Sequence, residues 1–266
     1  MDDPAVETQT LTKRYGEAVA VDRLDLQVRR ASIFGLLGPN GAGKSTVLRM
    51  LTTLLPPTSG TARVAGFDVR TEAREVRRRI GYVPQLVSAD GTLTARENLR
   101  LSGALYGIPR RELRERVEEA LSFMGLLEAA DRLVRGYSGG MIRRLEIASA
   151  MLHRPEVMFL DEPTVGLDPV ARHAVWDHLR ELRVRLGATV LLTTHDMEEA
   201  DALCDHVAIL HGGRVAVQGV PSELEAAIGP DATMDDVFLH HTGAEIGPGG
   251  GYADARSTRR TAQRLG

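Results

Sequence analysis

Gly38-Pro39-Asn40-Gly41-Ala42-Gly43-Lys44-Ser45-Thr46 decides how the rest of the chain is read. The apolar run Ile33-Phe34-Gly35-Leu36-Leu37 precedes it, and in the following segment, 44–55, Val47, Leu48, Leu51 and Leu55 fall on one face of a helix. The order is strand, glycine-rich loop, helix. Glycines let consecutive backbone N–H groups curl round an anion, and the helix N-terminus adds its partial positive charge. Lys44 supplies a full charge, and Ser45 offers a hydroxyl to a magnesium ion. With Gly38, Gly43, Lys44 and Ser45 all present in that context, the stretch predicts a triphosphate cradle.

The chain of 266 residues, 43% of them hydrophobic, can bury a sizeable core as one large or two closely joined domains. Its 33 basic and 36 acidic residues leave a net charge of -3, which argues against affinity built on nucleic-acid phosphates; no nucleic-acid partner is expected. Only Lys13 and Lys44 are lysines, the other basic residues being arginine, and Lys44 stands where the phosphates would lie. The single Cys204 excludes an internal disulfide framework. With no signal-peptide pattern after Met1, it points to a reducing cytoplasm. No apolar run approaches the roughly 18–20 residues that cross a bilayer, so any membrane role is expected to come through a partner.

Outward from the loop, 6–11, 18–21 and 24–28 alternate apolar and polar residues as short strands, with Tyr15 in the turn between the first two. Tyr15 reads equally as packing or as a contact near the phosphate loop. Pro56-Pro57-Thr58-Ser59-Gly60 stops the first helix, 61–64 resumes a strand, and the arginine-rich 75–79 reads as a solvated helix face. Strand 80–85 ends on the polar Gln85, at the kind of strand exit where α/β folds place site residues. From 87 to 154 the pattern is helical, with helices over 93–106 and 110–124, the second led by Pro109 as a first-turn proline. Tyr137-Ser138-Gly139-Gly140-Met141 opens a further helix and reads two ways. It is a capped helix start, or a second anion site made of exposed amides at a positive helix end. Strands over 157–160, 189–192 and 207–210 then alternate with helices over 169–186 and 197–204, which predicts a doubly wound α/β core. The stretch from 243 on, rich in glycine and arginine, is expected to be disordered.

Transfer of a phosphoryl group to water needs a metal to neutralise charge and a group that orients or deprotonates the water. Val157-Met158-Phe159-Leu160-Asp161-Glu162 offers both: Asp161 at a strand end could reach magnesium held by Ser45, and Glu162 could act as general base. His195 ends another strand at the same sheet edge.

The ordered set of 38–46, Gln85, 137–141, Leu160-Asp161-Glu162-Pro163, Gly166-Leu167-Asp168 and His195 resembles the nucleotide-binding subunit of ATP-binding-cassette (ABC) transporters. The likeness runs over residues 5 to 240 and is greatest to the drug-resistance exporter ATPases of the daunorubicin type. It implies an α/β fold: a P-loop NTPase (RecA-like) core with an antiparallel β subdomain and an inserted α-helical subdomain. The implied cassette is 5–242, with 5–86 and 155–220 as nucleotide-binding core, 87–154 helical, and 221–242 a C-terminal helical segment. It implies ATP and Mg2+ as ligands, a head-to-tail homodimer, and a separate membrane permease, so that the chain would sit peripherally on the cytoplasmic face of the membrane. Carried over by position, Tyr15 would stack on adenine, while Gly38, Pro39, Asn40, Gly41, Ala42, Gly43, Lys44, Ser45 and Thr46 would hold the phosphates. Ser45, Gln85 and Asp161 would organise magnesium, Glu162 would polarise water, and His195 would contact the γ-phosphate. Ser138, Gly139 and Gly140 would serve the opposite subunit's ATP, and Asp168 would communicate across the interface. Two positions depart from the family pattern: Met141 replaces the usual glutamine, and Arg30-Ala31-Ser32-Ile33 stands for Gly-Glu-Ile. The alternative is a soluble cassette ATPase acting on ribosomes or DNA; such proteins resemble fused cassettes or carry zinc or coiled-coil insertions, which this single cassette lacks.

Overall fold

A computed structural model describes residues 3–243. Two sheets organise it. A four-stranded antiparallel sheet, in the order β2-β1-β4-β5, contains β1 (Val6–Tyr15), β2 (Ala18–Val28), β4 (Ser59–Val64) and β5 (Phe67–Asp68). A six-stranded sheet contains β3 (Ile33–Leu37), β6 (Ile80–Val83), β7 (Val157–Asp161), β8 (Thr189–Thr194), β9 (His206–His211) and β10 (Arg214–Gly219). Its order is β10-β9-β3-β8-β7-β6, parallel except for the edge strand β10. The helices are α1 (Lys44–Leu51), α2 (Ala73–Arg79), α3 (Ala95–Leu105), α4 (Arg110–Phe123), α5 (Gly139–Met151), α6 (Pro169–Leu186), α7 (Met197–Leu203), α8 (Pro221–Ile228) and α9 (Met234–Thr242).

The parallel strands are apolar along their middles because both faces are covered. Side chains alternate between two cores: Met158, Leu160, Val190 and Leu192 pack with α3–α6, whereas Val157, Phe159 and Leu191 pack with α1 and the antiparallel sheet. Register then fixes the site. Leu37 pairs with Thr194, Asp161 with Thr193, and Val83 with Leu160, so the C-terminal ends of β3, β6, β7 and β8 share one edge. Everything the sequence marks as chemical in 38–46, 85, 161–162 and 195 leaves from that edge.

Several local expectations shift. The first helix stops at Leu51 rather than running to Leu55, because Thr52 turns its hydroxyl back onto Leu48 O at 2.8 Å and Thr53 takes φ 64. Strands 18–21 and 24–28 are one strand, bent at Arg23, whose φ is 49 and whose N–H donates to Thr12 Oγ1. Tyr15 closes β1 instead of sitting in the turn. Pro109 caps α4 from outside, with Arg110 the first helical residue. Strands β5 and β10 have no counterpart in the sequence reading: β5 is two residues long, and β10 is an edge strand whose residues alternate between exposed and half-buried. The expectation of disorder beyond Gly243 lies outside the described residues.

Candidate active site

The loop 38–43 enters α1 through two glycines that no other residue replaces. A Cβ on Gly43, at φ 106, would come within 2.5 Å of Ala20 O, and one on Gly38 within 2.4 Å of Leu210 O. The loop is thus pressed between β2 and β9. Lys44, the first residue of α1, is buried; its Nζ donates to Gly38 O at 2.7 Å and lies 3.1 Å from Glu162 Oε1. Ser45 donates to Asp161 Oδ1 at 3.1 Å. The strand-loop-helix and the end of β7 therefore meet side chain to side chain.

Glu162 follows β7 in the left-handed region, φ 52, a conformation that costs a residue with a Cβ of order 1 kcal/mol or more. Its N–H is held by Thr193 Oγ1 at 3.0 Å and Thr193 O at 3.2 Å. Its Oε2 lies 2.6 Å from His195 Nδ1, so the carboxylate joins Lys44 on one oxygen to the histidine on the other. Glu162 is buried and His195 is partly open to solvent, an arrangement in which a base receives water from outside while its orientation is fixed from within.

The fit to magnesium can be judged from the donors. Ser45 and Asp161 offer hard oxygens, and among the described residues no cluster of three or more histidine, cysteine or carboxylate groups forms a protein cage. That suits a small cation that keeps several waters and takes further oxygens from phosphates.

Six predicted residues, Gln85, Ser138, Gly139, Gly140, Asp168 and Tyr15, stand apart from this centre. Gln85 is exposed just beyond β6, and its tie to the rest of the chain is through the main chain, where Arg143 Nη2 donates to Gln85 O at 3.2 Å. Ser138 accepts from Met141 N at 3.3 Å as the cap of α5, and among the described residues no hydrogen bond or ion pair joins 138–140 to 38–46. Instead these residues lie against the start of α6. A Cβ on Gly140 would meet Ala171 Cβ at 2.7 Å, and one on Gly139 would touch Leu167; Asp168 caps α6 by accepting from Ala171 N at 2.9 Å. Ser138, Gly139 and Asp168 are exposed on this side of the molecule, and Gly140 is buried behind them. Tyr15 is half exposed, with Lys13 Nζ over its ring.

Four buried polar residues escaped the sequence reading. Thr193 links Asp161 to Glu162. Arg143 and Glu146, one to two turns into α5, grip the segment after β6: Arg143 Nη1 donates to Pro84 O at 2.8 Å, and Glu146 Oε1 accepts from Ser88 N at 2.6 Å. Burial pushes the Arg143 guanidinium below its ordinary value, and the neighbouring Glu146 carboxylate opposes that shift. Glu199 accepts from Thr164 Oγ1 at 2.7 Å and Trp176 Nε1 at 2.9 Å, and its burial raises its carboxyl above the usual range. Polar residues at apolar-periodic positions of a strand or helix were the available signal.

The family model described as ABC transporter matches residues 21–165. The daunorubicin/doxorubicin resistance ATP-binding protein DrrA of Streptomyces peucetius is 51% identical over 225 residues, 85% of this chain and 68% of that protein. Nod factor export ATP-binding protein I of Ralstonia nicotianae is 47% identical over 221 residues, 83% of this chain and 68% of that one. Among solved structures, an ATP-binding subunit of an ABC transporter superposes with a TM-score of 0.79 at 30% identity, covering 89% of this chain and 98% of the other. A dimeric ATP-binding cassette in a post-hydrolysis state, bound to ADP and Pi, superposes with a TM-score of 0.73 at 28% identity, covering 81% and 98%. With a phosphate loop, two strand-end carboxylates and a strand-end histidine gathered on one edge of a P-loop core, the chain belongs to the ABC transporter family, as an ATP-hydrolysing cassette.

Proposed function

We propose that this chain is the ATP-binding subunit of an exporter, supplying half of each of two ATP sites in a head-to-tail dimer and driving efflux through a separate membrane permease. The observation that carries the reading is the joining of Lys44 and Ser45 at the start of α1 to Glu162 and Asp161 at the end of β7. Lys44 and the loop amides of 38–46 bind the phosphates, and Tyr15 stacks on the base. Ser45 and Asp161, with Gln85 brought in as the half-sites close, would hold Mg2+, which supplies charge neutralisation at the transferred phosphoryl group. Glu162 takes the proton of the attacking water, while His195 orients Glu162 and reaches the γ-phosphate.

Ser138, Gly139 and Gly140 act on the ATP of a second copy. Ser138 and Gly139 are exposed, and Asp168 close by reads the interface. The helical part, 87–154, moves as a unit on the core of 5–86 and 155–220, with 221–242 as a C-terminal appendage. Because Arg143 and Glu146 of α5 hold the Gln85 segment, closure at Ser138 is carried to Leu86 and Val87, both exposed, where the permease docks. Among the described residues no helix is long and apolar enough to cross a membrane, so the permease provides the passage and holds the chain on the cytoplasmic face. The relatives named for daunorubicin/doxorubicin resistance and for Nod factor export support efflux, and a drug or antibiotic is the proposed cargo class.

The test is co-expression with a candidate permease, a membrane protein of about six hydrophobic spans, followed by purification and transport. Co-purification, Mg-dependent ATP hydrolysis and ATP-dependent efflux from vesicles are expected. Hydrolysis without any association to that membrane protein overturns the exporter reading.

A further inference from the structure

Thr193 is fully buried in β8, a strand otherwise apolar at Val190, Leu191 and Leu192, and it is the register partner of Asp161 on the neighbouring strand. A hydroxyl in such a strand must find partners. It could have bonded within its own strand; it reaches across to the acidic pair instead. Its single O–H donates to Asp161 Oδ1 at 2.7 Å, the same oxygen that receives Ser45 Oγ at 3.1 Å. Its lone pair accepts from Glu162 N at 3.0 Å. One side chain therefore touches both residues assigned to magnesium and to water, and through Asp161 it reaches the first turn of α1.

We propose that Thr193 is a positioning residue for the reaction, its hydroxyl fixing the carboxylate of Asp161 and the left-handed backbone of Glu162 together. This rests on the reading of Asp161 and Glu162 given above. The logic is geometric. Glu162 is held at φ 52, a conformation that persists only when its surroundings over-determine it, and Thr193 supplies both acceptors of its N–H. The same hydroxyl removes the rotational freedom of Asp161, so the oxygens offered to a cation are already oriented. Valine fills nearly the volume of threonine and cannot make either contact; serine makes both.

The test compares Thr193→Val and Thr193→Ser with the parent chain, each loaded with a non-hydrolysable ATP analogue. Mn2+ affinity is read from loss of the free-ion paramagnetic resonance signal. Analogue affinity in EDTA and the thermal midpoint are measured beside it. Thr193→Val is expected to lower the midpoint by losing two buried hydrogen bonds and to weaken Mn2+ binding about 10- to 100-fold, while analogue affinity in EDTA stays near that of the parent. Thr193→Ser is expected to restore Mn2+ affinity. Parental Mn2+ affinity in Thr193→Val overturns the proposal, as does an equal loss of analogue affinity in EDTA, which places the hydroxyl's effect in the fold. A parent chain that binds no analogue at all overturns the nucleotide reading itself and the Thr193 role with it.

Discussion

Lys44 Nζ lies 3.1 Å from Glu162 Oε1, with only 5% and 7% of the two side chains exposed. The residue that would bind phosphate and the residue that would activate water thus neutralise each other in the interior, and phosphate oxygens entering the loop compete with Glu162 for Lys44. Removing one member of a buried pair costs about 3 kcal/mol or more, because the other charge is stranded. Lys44→Ala is therefore expected to lower both nucleotide affinity and thermal stability. The double variant Lys44→Ala/Glu162→Gln is expected to recover stability but not affinity. Calorimetric titration and thermal unfolding separate the two effects, and retained affinity in Lys44→Ala would count against the cradle.

Glu162→Gln keeps the shape of the side chain and removes its basicity. Loss of a general base lowers turnover by about 100-fold or more. Binding of ATP is expected to survive, and the bound, unhydrolysed nucleotide should accumulate a closed dimer visible by light scattering. Unchanged steady-state hydrolysis would sink the assignment of Glu162 as base.

That 38–46, Asp161, Glu162 and His195 would meet at one sheet edge was readable, because each stands at a strand exit and strand exits in a parallel sheet converge. Thr193, Arg143 and Glu199 were not, because their meaning comes from register and helix packing between segments remote in sequence: Thr193 acts on residues 31 and 32 positions away, and Arg143 on main-chain groups 58 and 59 away. The break misread in β2 has a local cause. Arg23, at φ 49, bends a continuous strand where polarity suggested a break.

Ser138 and Gly139 are exposed beside Asp168, and Gly140 is buried against Ala171. A bulky residue at 138 would obstruct a second copy without touching the chain's own phosphate loop. Ser138→Phe is expected to abolish hydrolysis while nucleotide binding to the monomer remains measurable, apart from about 1 kcal/mol of helix stability lost with the cap. Loss of binding together with hydrolysis would indicate a damaged fold and argue against a site shared between copies.

Glu199 carries a pH signature. Burial raises its carboxyl above the ordinary range, with the Asp196 charge adding to the rise and hydrogen bonds from Thr194, Thr164 and Trp176 opposing it. The folded chain thus holds this proton more tightly than the unfolded chain. Below the ordinary carboxylate value Glu199 contributes no slope; stability falls as pH rises from there to the raised value, and levels off above it. Glu199→Gln keeps an oxygen for Thr164 and Trp176 and cannot ionise. Denaturant midpoints taken from about pH 4 to about pH 8 should show the glutamine variant gaining on the parent as pH rises. A gain by the parent over that range would mean that Glu199 is stabilised as the anion, with its hydrogen bonds outweighing burial.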